Sequence, residues 1–445
     1  MNHIVIVGGG FAGLNCARKL SAHPDVRITL IDKNNYQQFQ PLLYQVATAI
    51  LTPGNAAFSL RSIFRNHANV NVKLGEVISA DLLTRTVHTK DGKTYQGDWL
   101  VLAAGAQVNF FGTPGADKHA YPLYSLRDAE LLRSRILTLL ESVDREPSLV
   151  AEGALNFVVV GAGPTGTETA GALGDMTQRV LKDVYRNLNF SKSRVILVDV
   201  VHTVLNAFSQ RSQIYASEML KKHGVEVLLG VGVKEVHPSC VVLSDGSTIL
   251  TRTTIWAGGL KASKLSGALE IRTGRGDRVE VQPDFSVKDF PGVYALGDFA
   301  NISGVDAKPL PQLASVAQQA GRYCADAIAA SIAGDPVKPF RYFDMGIMAM
   351  IGRNAAVTEL GEHRHELTGP LAFAAWLAVH ALLLIPTRAK IETFIEWAWD
   401  YFGRMHVDPI LDRPEEVAVD WTDAEGKNVP QPKGTPLLSV DNTLP

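Results

Sequence analysis

Near the start of the chain, Gly8-Gly9-Gly10-Phe11-Ala12-Gly13 has the residue types and spacing that can hold a pyrophosphate. In such a turn Gly8 permits the tight bend, Gly10 lets the backbone approach the phosphates, and Gly13 lets helix and strand pack closely. A β-branched run, Ile4 to Val7, precedes the glycines and a helical stretch, Leu14 to Leu20, follows them. A second strand, Val26 to Ile31, ends on Asp32. That carboxylate can accept from both hydroxyls of an adenosine ribose, while the helix start offers free N–H groups and the positive end of its dipole to phosphate. Glycines at this spacing alone signify little more than a tight turn. The strand, turn, helix, strand and acid together are what point to a dinucleotide.

The pattern occurs twice. Gly161-Ala162-Gly163-Pro164-Thr165-Gly166 follows the strand Phe157 to Val160 and opens a helical run, Thr167 to Leu173. The next strand, Val195 to Val198, ends on Asp199. That gap exceeds the ~20 residues of the compact fingerprint, so residues 174–194 read as an insertion extending the connecting helix. Asp199 would repel a 2′-phosphate, and Val200, Val201 and His202 follow it with no arginine, so NADH is preferred over NADPH. His202 reads as a surface or ribose-edge residue.

A third signature, Gly292 to Asp298 (GVYALGD), ends a short strand in Gly-Asp. On its own it would be a hairpin. Behind an N-terminal fingerprint, Asp298 can accept a ribityl hydroxyl of FAD and Gly297 lets the backbone pass close by. Two more strands end in small residues, at Ala103-Ala104-Gly105 and at Ala257-Gly258-Gly259, where crossovers between two cofactor domains are expected.

The elements that must position these residues imply an α/β protein with two Rossmann-like dinucleotide-binding domains, one inserted in the other. Residues 1–110 and 270–345 are expected to bind FAD, 111–150 to connect, and 151–269 to bind NADH. A length of 445 residues exceeds what one core usually spans, and 46% apolar with 20% charged residues describes an ordinary folded chain. The net charge of -2 gives no support for nucleic-acid binding. Cys16, Cys240 and Cys324 lie far apart, which argues against a disulfide framework or a metal site and fits a reducing compartment. Cys16 is expected to pack as a small apolar residue without a partner. The N-terminus carries no basic stretch or cleavage site, so folding in the cytoplasm is expected.

Leu371 to Ile385 is apolar except for His380, and at fifteen residues is too short to span a bilayer. Ala389 to Phe402 follows with apolar residues at helical spacing and Arg388, Lys390 and Arg404 alongside. Two readings stand: helices lying in a membrane interface, or helices covering the core or a dimer interface. Residues 346–411 are assigned to this helical region and 412–445 to an extended tail.

With these residues in place, the chain resembles the type II NADH dehydrogenases, single-subunit NADH:quinone oxidoreductases of the two-dinucleotide flavoprotein superfamily. The resemblance covers roughly residues 1–410. It is carried by GGGFAG at 8–13, QPLLYQVA at 40–47, GAGPTGTETAG at 161–171, TIWAGGLKAS at 254–263 and YALGDFA at 294–300. It implies FAD contacts at Gly8, Gly10, Phe11, Ala12, Gly13, Asp32, Lys33, Val77, Ala104, Gly105 and Asp298, with NAD on Gly161, Gly163, Gly166, Asp199 and Gly258. It places Glu168 beside the flavin and the quinone, although a carboxylate one turn into a helix could equally serve as an N-terminal charge worth roughly 0.3–1 kcal/mol. The family's Ala-Gln pair and further glutamine fall on the helix after the Gly-Asp turn. Ala314 and Gln319 match and Ser315 stands where glutamine is expected, which implies cofactor contacts at Leu313, Ala314 and Ser315 and a catalytic place for Gln319 near the acceptor. The resemblance further implies a quinone acceptor, monotopic attachment at the cytoplasmic face of a membrane, a homodimer and no proton pumping. A reductase of a protein or metabolite acceptor and an NADH-sensing flavoprotein are the rival readings.

Overall fold

The computed structural model describes residues 1–304, 308–402, 410–411, 417 and 419–421. The first sheet starts with Asn2–Val7 (β1), Val26–Asp32 (β2), Val70–Leu74 (β3) and Trp99–Leu102 (β4). The chain then builds a second sheet from Ala120–Pro122 (β5), Asn156–Val160 (β6), Arg194–Asp199 (β7), Val225–Leu229 (β8) and Thr253–Trp256 (β9). It returns to the first sheet with Val293–Ala295 (β10). The orders are β10-β4-β1-β2-β3 and β5-β9-β6-β7-β8, and every pairing is parallel. Parallel strands buried on both faces read as continuous apolar runs. Ile4, Val5 and Ile6, like Phe157, Val158 and Val159, are fully buried.

The stretch read as a connection does more than connect, because Ala120–Pro122 is the edge strand of the second sheet. Three residues are too few to show a periodicity in sequence. The two small-residue turns lead into Ala106–Val108 and Leu260–Ala262, which pair antiparallel and tie one sheet to the other.

The helices that carry or cover the candidate sites are Phe11–Leu20 (α1), Leu43–Ala47 (α2), Leu126–Arg145 (α3), Pro164–Asp175 (α4), Gln210–Lys222 (α5), Ala314–Ala333 (α6), Pro370–Leu383 (α7) and Thr387–Phe402 (α8). The insertion after α4 continues it as a π-helical turn, Met176–Val180, and a short helix, Leu181–Val184. α6 lies against α1 so closely that a Cβ on Gly321 would stand 2.1 Å from the Ala12 carbonyl oxygen. Across that contact the thiol of Cys324 meets that of Cys16, and both are fully buried. Cys16 thus has a partner that a separation of 308 positions concealed in the sequence.

The C-terminal region is not purely helical. Gly346–Gly352 (β11), Ala355–Leu360 (β12) and His365–Thr368 (β13) form an antiparallel sheet before α7 begins. Short apolar runs do not distinguish strand from helix, which is why sequence reading missed it. β11 presses on α4, where a Cβ on Gly171 would stand 1.7 Å from the Ile351 carbonyl oxygen. α7 and α8 turn Ala372, Trp376 and His380, and Ala389, Thr393 and Trp397, inward at four-residue spacing. Their outer faces expose Leu371, Leu382, Phe394, Ile395, Trp399 and Phe402. Among the described residues no helix is long and apolar enough to cross a membrane.

Most of the tail expected to be extended, 412–445, lies outside the described residues. Of the part described, Val417 and Trp421 are buried. Arg135 of α3 donates to the Val417 carbonyl, and Arg252 donates to the Asp420 carbonyl and lies over the Trp421 ring.

Candidate active site

The two fingerprints fold into near-duplicate cradles at the carboxyl ends of their sheets. Gly8 N–H donates to the Ile31 carbonyl at 2.7 Å and Gly161 N–H to the Val198 carbonyl at 2.8 Å. Asp32 Oδ2 accepts from Gly9 N–H at 2.6 Å, and Asp199 Oδ2 from Ala162 N–H at 2.5 Å. Their other oxygens accept from Asn34 and Val201 N–H at 2.7 and 3.1 Å. Each acid therefore braces the glycine turn as well as ending its strand, and burial pushes the Asp32 carboxyl above its ordinary value.

The glycines divide their work the same way in both copies. Gly8 and Gly161 have φ of +101° and +107°, a region other residues avoid. A Cβ on Gly13 would stand 1.9 Å from the Gly8 carbonyl oxygen, and one on Gly166 would stand 1.7 Å from that of Gly161. Gly10 and Gly163 face open space instead. Both are also the N-cap residues of α1 and α4, and a glycine has no side chain to satisfy the first helical N–H groups. Two uncapped helix starts, each beside an open glycine, are the arrangement a pyrophosphate fits. Ala104 and Gly258 border Gly8 and Gly161, within 3.3 and 2.9 Å of where their Cβ atoms would be.

Asp298 completes the first cradle. It follows β10, and Gly297 before it has φ of +64°. Burial pushes its carboxyl up to about 6, against the pull of the Arg278 charge and a hydrogen bond from Tyr124. A narrow cleft runs from Arg278 and Asp298 along Gln312 and Leu313 to Val316 at the start of α6. Lys33 is exposed beside Asp32, and Val77 is half-buried just past Gly75, whose N–H donates to the Asp32 carbonyl at 2.8 Å.

Glu168 sits elsewhere, on the buried face of α4. Met350 N–H of β11 and Trp376 Nε1 of α7 both donate to its Oε1, at 3.1 and 3.2 Å. Burial raises its carboxyl to about 8 despite those bonds. Tyr44 of α2 donates to Met350 Sδ at 3.2 Å and accepts from Gln45 Nε2 at 2.9 Å, while Trp397 Nε1 of α8 donates to Gln45 Oε1 at 2.7 Å. His380 stacks on Trp376 with ring centroids 3.7 Å apart, and burial lowers it to about 4, so it is neutral at pH 7. Glu168 lines a cavity with Tyr44, Met350, Phe373, Leu377, Trp397 and Tyr401. A mostly apolar chamber with a buried, protonated acid in its wall can take an apolar molecule that gains protons.

Sequence reasoning singled out Glu168 but not Met350, Trp376 or Trp397, which converge on it from three other segments. Their only signals were the four-residue spacing in the C-terminal helices and the PLLYQVA segment that holds Tyr44. Gln319 and Ser315 do not line this cavity. The Gln319 amide is engaged at both ends by the Phe343 backbone, at 2.9 and 3.0 Å, and Ser315 Oγ pairs with Tyr342 Oη at 2.9 Å. These bonds fasten segment 342–343 to α6.

Several known proteins resemble this chain. The pyridine nucleotide-disulphide oxidoreductase family model matches residues 2–321. The type II NADH:quinone oxidoreductase Ndh of Mycobacterium tuberculosis is 38% identical over 89% of this chain and 87% of its own length. The chain belongs to the type II NADH:quinone oxidoreductases of that family. The Haemophilus influenzae type II NADH:quinone oxidoreductase is 25% identical over 86% of the chain and 93% of its own length. The fold matches that of Plasmodium falciparum NDH2, solved with NADH, at a TM-score of 0.84 and 20% identity, covering 92% of this chain and 99% of that one. As a type II NADH:quinone oxidoreductase the chain uses FAD and NAD, and its two open cradles suit two dinucleotides.

Proposed function

We propose that this oxidoreductase divides NADH:quinone turnover among three places in the fold. The first cradle, Gly8 to Gly13 with Asp32, Lys33, Val77, Ala104, Gly105 and Asp298, holds FAD. Leu313, Ala314 and Ser315 at the start of α6 close its other end. The second, Gly161, Gly163, Gly166, Asp199 and Gly258, holds NADH. The cavity ending on Glu168 takes the quinone. Residues 1–110 with 270–345, and 151–269 inserted between them, are the corresponding domains. The return of β10 to the first sheet supports that split.

FAD, when bound, supplies the redox chemistry, taking a hydride from NADH and yielding two electrons to the quinone. The protein binds, orients and handles protons. The N–H groups that start α1 and α4 hold pyrophosphates, and the Asp32 and Asp199 carboxylates keep spare lone pairs for ribose hydroxyls. Glu168, protonated near neutrality because it is buried, donates its proton to a quinone oxygen. Such general-acid help is worth typically 10²–10⁴-fold. Trp376 and Met350 hold the carboxyl in place, and the aromatic walls exclude water.

The outer faces of α7 and α8 rest on a membrane surface at its cytoplasmic side, where the quinone is dissolved. Leu371, Phe394, Trp399 and Phe402, each more than half exposed, support that reading. A homodimer belongs to the same proposal. The observation that carries the assignment is Glu168 at the inner end of a chamber lined by both membrane-side helices. Anaerobic sequential mixing tests it. NADH is expected to bleach the flavin and a soluble quinone to restore it quickly, with Glu168→Gln slowing only the second phase. A quinone phase untouched by Glu168→Gln would refute the assignment.

A further inference from the structure

NADH, quinone and one proton from solvent give NAD⁺ and quinol, so a buried acid that protonates the quinone must be recharged from outside. Glu168 is buried beside Tyr44, Met350 and Trp376, with His380 stacked behind Trp376. The cavity that Glu168 lines continues from it towards solvent. Along α4 that cavity is lined by Glu168, Ala172 and Asp175. Those positions share one helix face, and two turns separate the carboxylates by ~10 Å along the axis. Ala172 between them contributes only a methyl group, which leaves the space open.

Asp175 stands at the outer end with its side chain 19% exposed. His223, at the end of α5, pairs its Nδ1 with Asp175 Oδ1 at 2.7 Å, and Arg353 N–H donates to Asp175 Oδ2 at 2.8 Å. Arg179 Nε, from the π-helical turn, lies 3.7 Å from Asp175 Oδ1. Asp400 and Tyr401 of α8 line the same outer part, and Arg353 holds the Tyr401 carbonyl and lies over its ring. The His223 position is built rather than incidental. A Cβ on Gly352 would stand 2.7 Å from its ring, and one on Gly174 would stand 2.3 Å from its carbonyl oxygen. The π-helical turn begins directly after Asp175 and sets Met176 and Arg179 in the cavity wall. Such turns occur frequently at functional sites.

We propose that Asp175 and His223 form the port through which a solvent proton reaches Glu168 along this cavity. The proposal rests on the cavity being the quinone site. In the step, the Glu168 carboxyl proton goes to the reduced quinone oxygen and leaves a carboxylate. Cavity water relays a proton from the Asp175–His223 pair to that carboxylate, and the pair takes its replacement from solvent. No electron moves in the recharge. Asp175 and His223 act through Glu168, so they are relay and positioning residues.

The test uses the full-length, FAD-loaded protein reduced anaerobically with NADH, then mixed with a soluble quinone or with ferricyanide. Ferricyanide takes electrons without protons. Asp175→Asn is expected to slow the quinone phase by about tenfold or more, most strongly at alkaline pH, and to leave the ferricyanide phase unchanged. Asp175→Glu restores the quinone phase. His223→Gln, which keeps a hydrogen bond but not a titrating group, gives the same selective loss and guards against misfolding of the first variant. Loss with both acceptors alike, or with neither, overturns the port. A wild-type protein that reoxidises with ferricyanide but not with quinone overturns the quinone reading on which the port rests.

Discussion

Trp376 Nε1 on α7 donates to Glu168 Oε1 on α4 at 3.2 Å, so a helix of the C-terminal pair holds the buried acid of the helix that follows the second glycine turn. That bond favours the ionised carboxyl, while burial favours the neutral one. Trp376→Phe should therefore move the Glu168 pKa further up. The pH profile of quinone-dependent flavin reoxidation should shift to the alkaline side, with flavin reduction by NADH unchanged. An acid shift or no shift would show that Trp376 does not govern this carboxyl.

Glu168 also predicts a stability signature. Its folded value, about 8, lies above the ordinary 4.5, so the folded state holds the proton longer than the unfolded chain. The stabilisation relative to an ionising site is fully present below about pH 4.5 and is lost as pH rises to about 8. Denaturant midpoints of the wild type should fall across that window more steeply than those of Glu168→Gln. Parallel pH slopes for the two proteins would contradict the burial assigned to Glu168.

The near-duplicate cradles can be broken one at a time. In Gly13→Ala the new methyl meets the Gly8 carbonyl oxygen, and in Gly166→Ala that of Gly161. The first should purify depleted of FAD. The second should keep FAD and raise the KM for NADH at least tenfold, since a rearranged turn loses donors to the pyrophosphate. Steady-state kinetics and the flavin absorbance per protein check both, and a common loss would mean the cradles are not separate sites.

On the outer helices, Phe394→Ser with Trp399→Ser should release the protein from lipid vesicles. Each large apolar side chain buried contributes roughly 1.5–3 kcal/mol. Flotation should show the loss while activity with a soluble quinone persists. Retained flotation would assign that face to a protein interface.

Both cradles were legible in the sequence because their chemistry is local. Gly13 meets Gly8 and Gly166 meets Gly161 five residues apart, and the acids lie at the end of the next strand. The two parallel sheets followed from the same units. Contacts between distant segments were not legible. Met350 and Trp376 reach Glu168 across 182 and 208 positions, and Trp397 reaches Gln45 across 352. Nothing in the spacing of His223 relates it to Asp175. The three-stranded sheet at 346–368 was hidden for another reason: its strands are short, and its apolar runs resemble helix segments in composition. Gln319 and Ser315 were placed by family pattern, and nothing in the sequence signalled their hydrogen bonds to Phe343 and Tyr342.

The most direct test of the account is where the quinone sits. A photoreactive short-chain quinone would be activated on the FAD-loaded protein and its crosslinks mapped by mass spectrometry. The account predicts labels on Leu377, Trp397 or Tyr401, suppressed by excess quinone and by bulk introduced at Ala172. Labels confined to residues 315–319 and 342–343, indifferent to changes at Ala172, would contradict it.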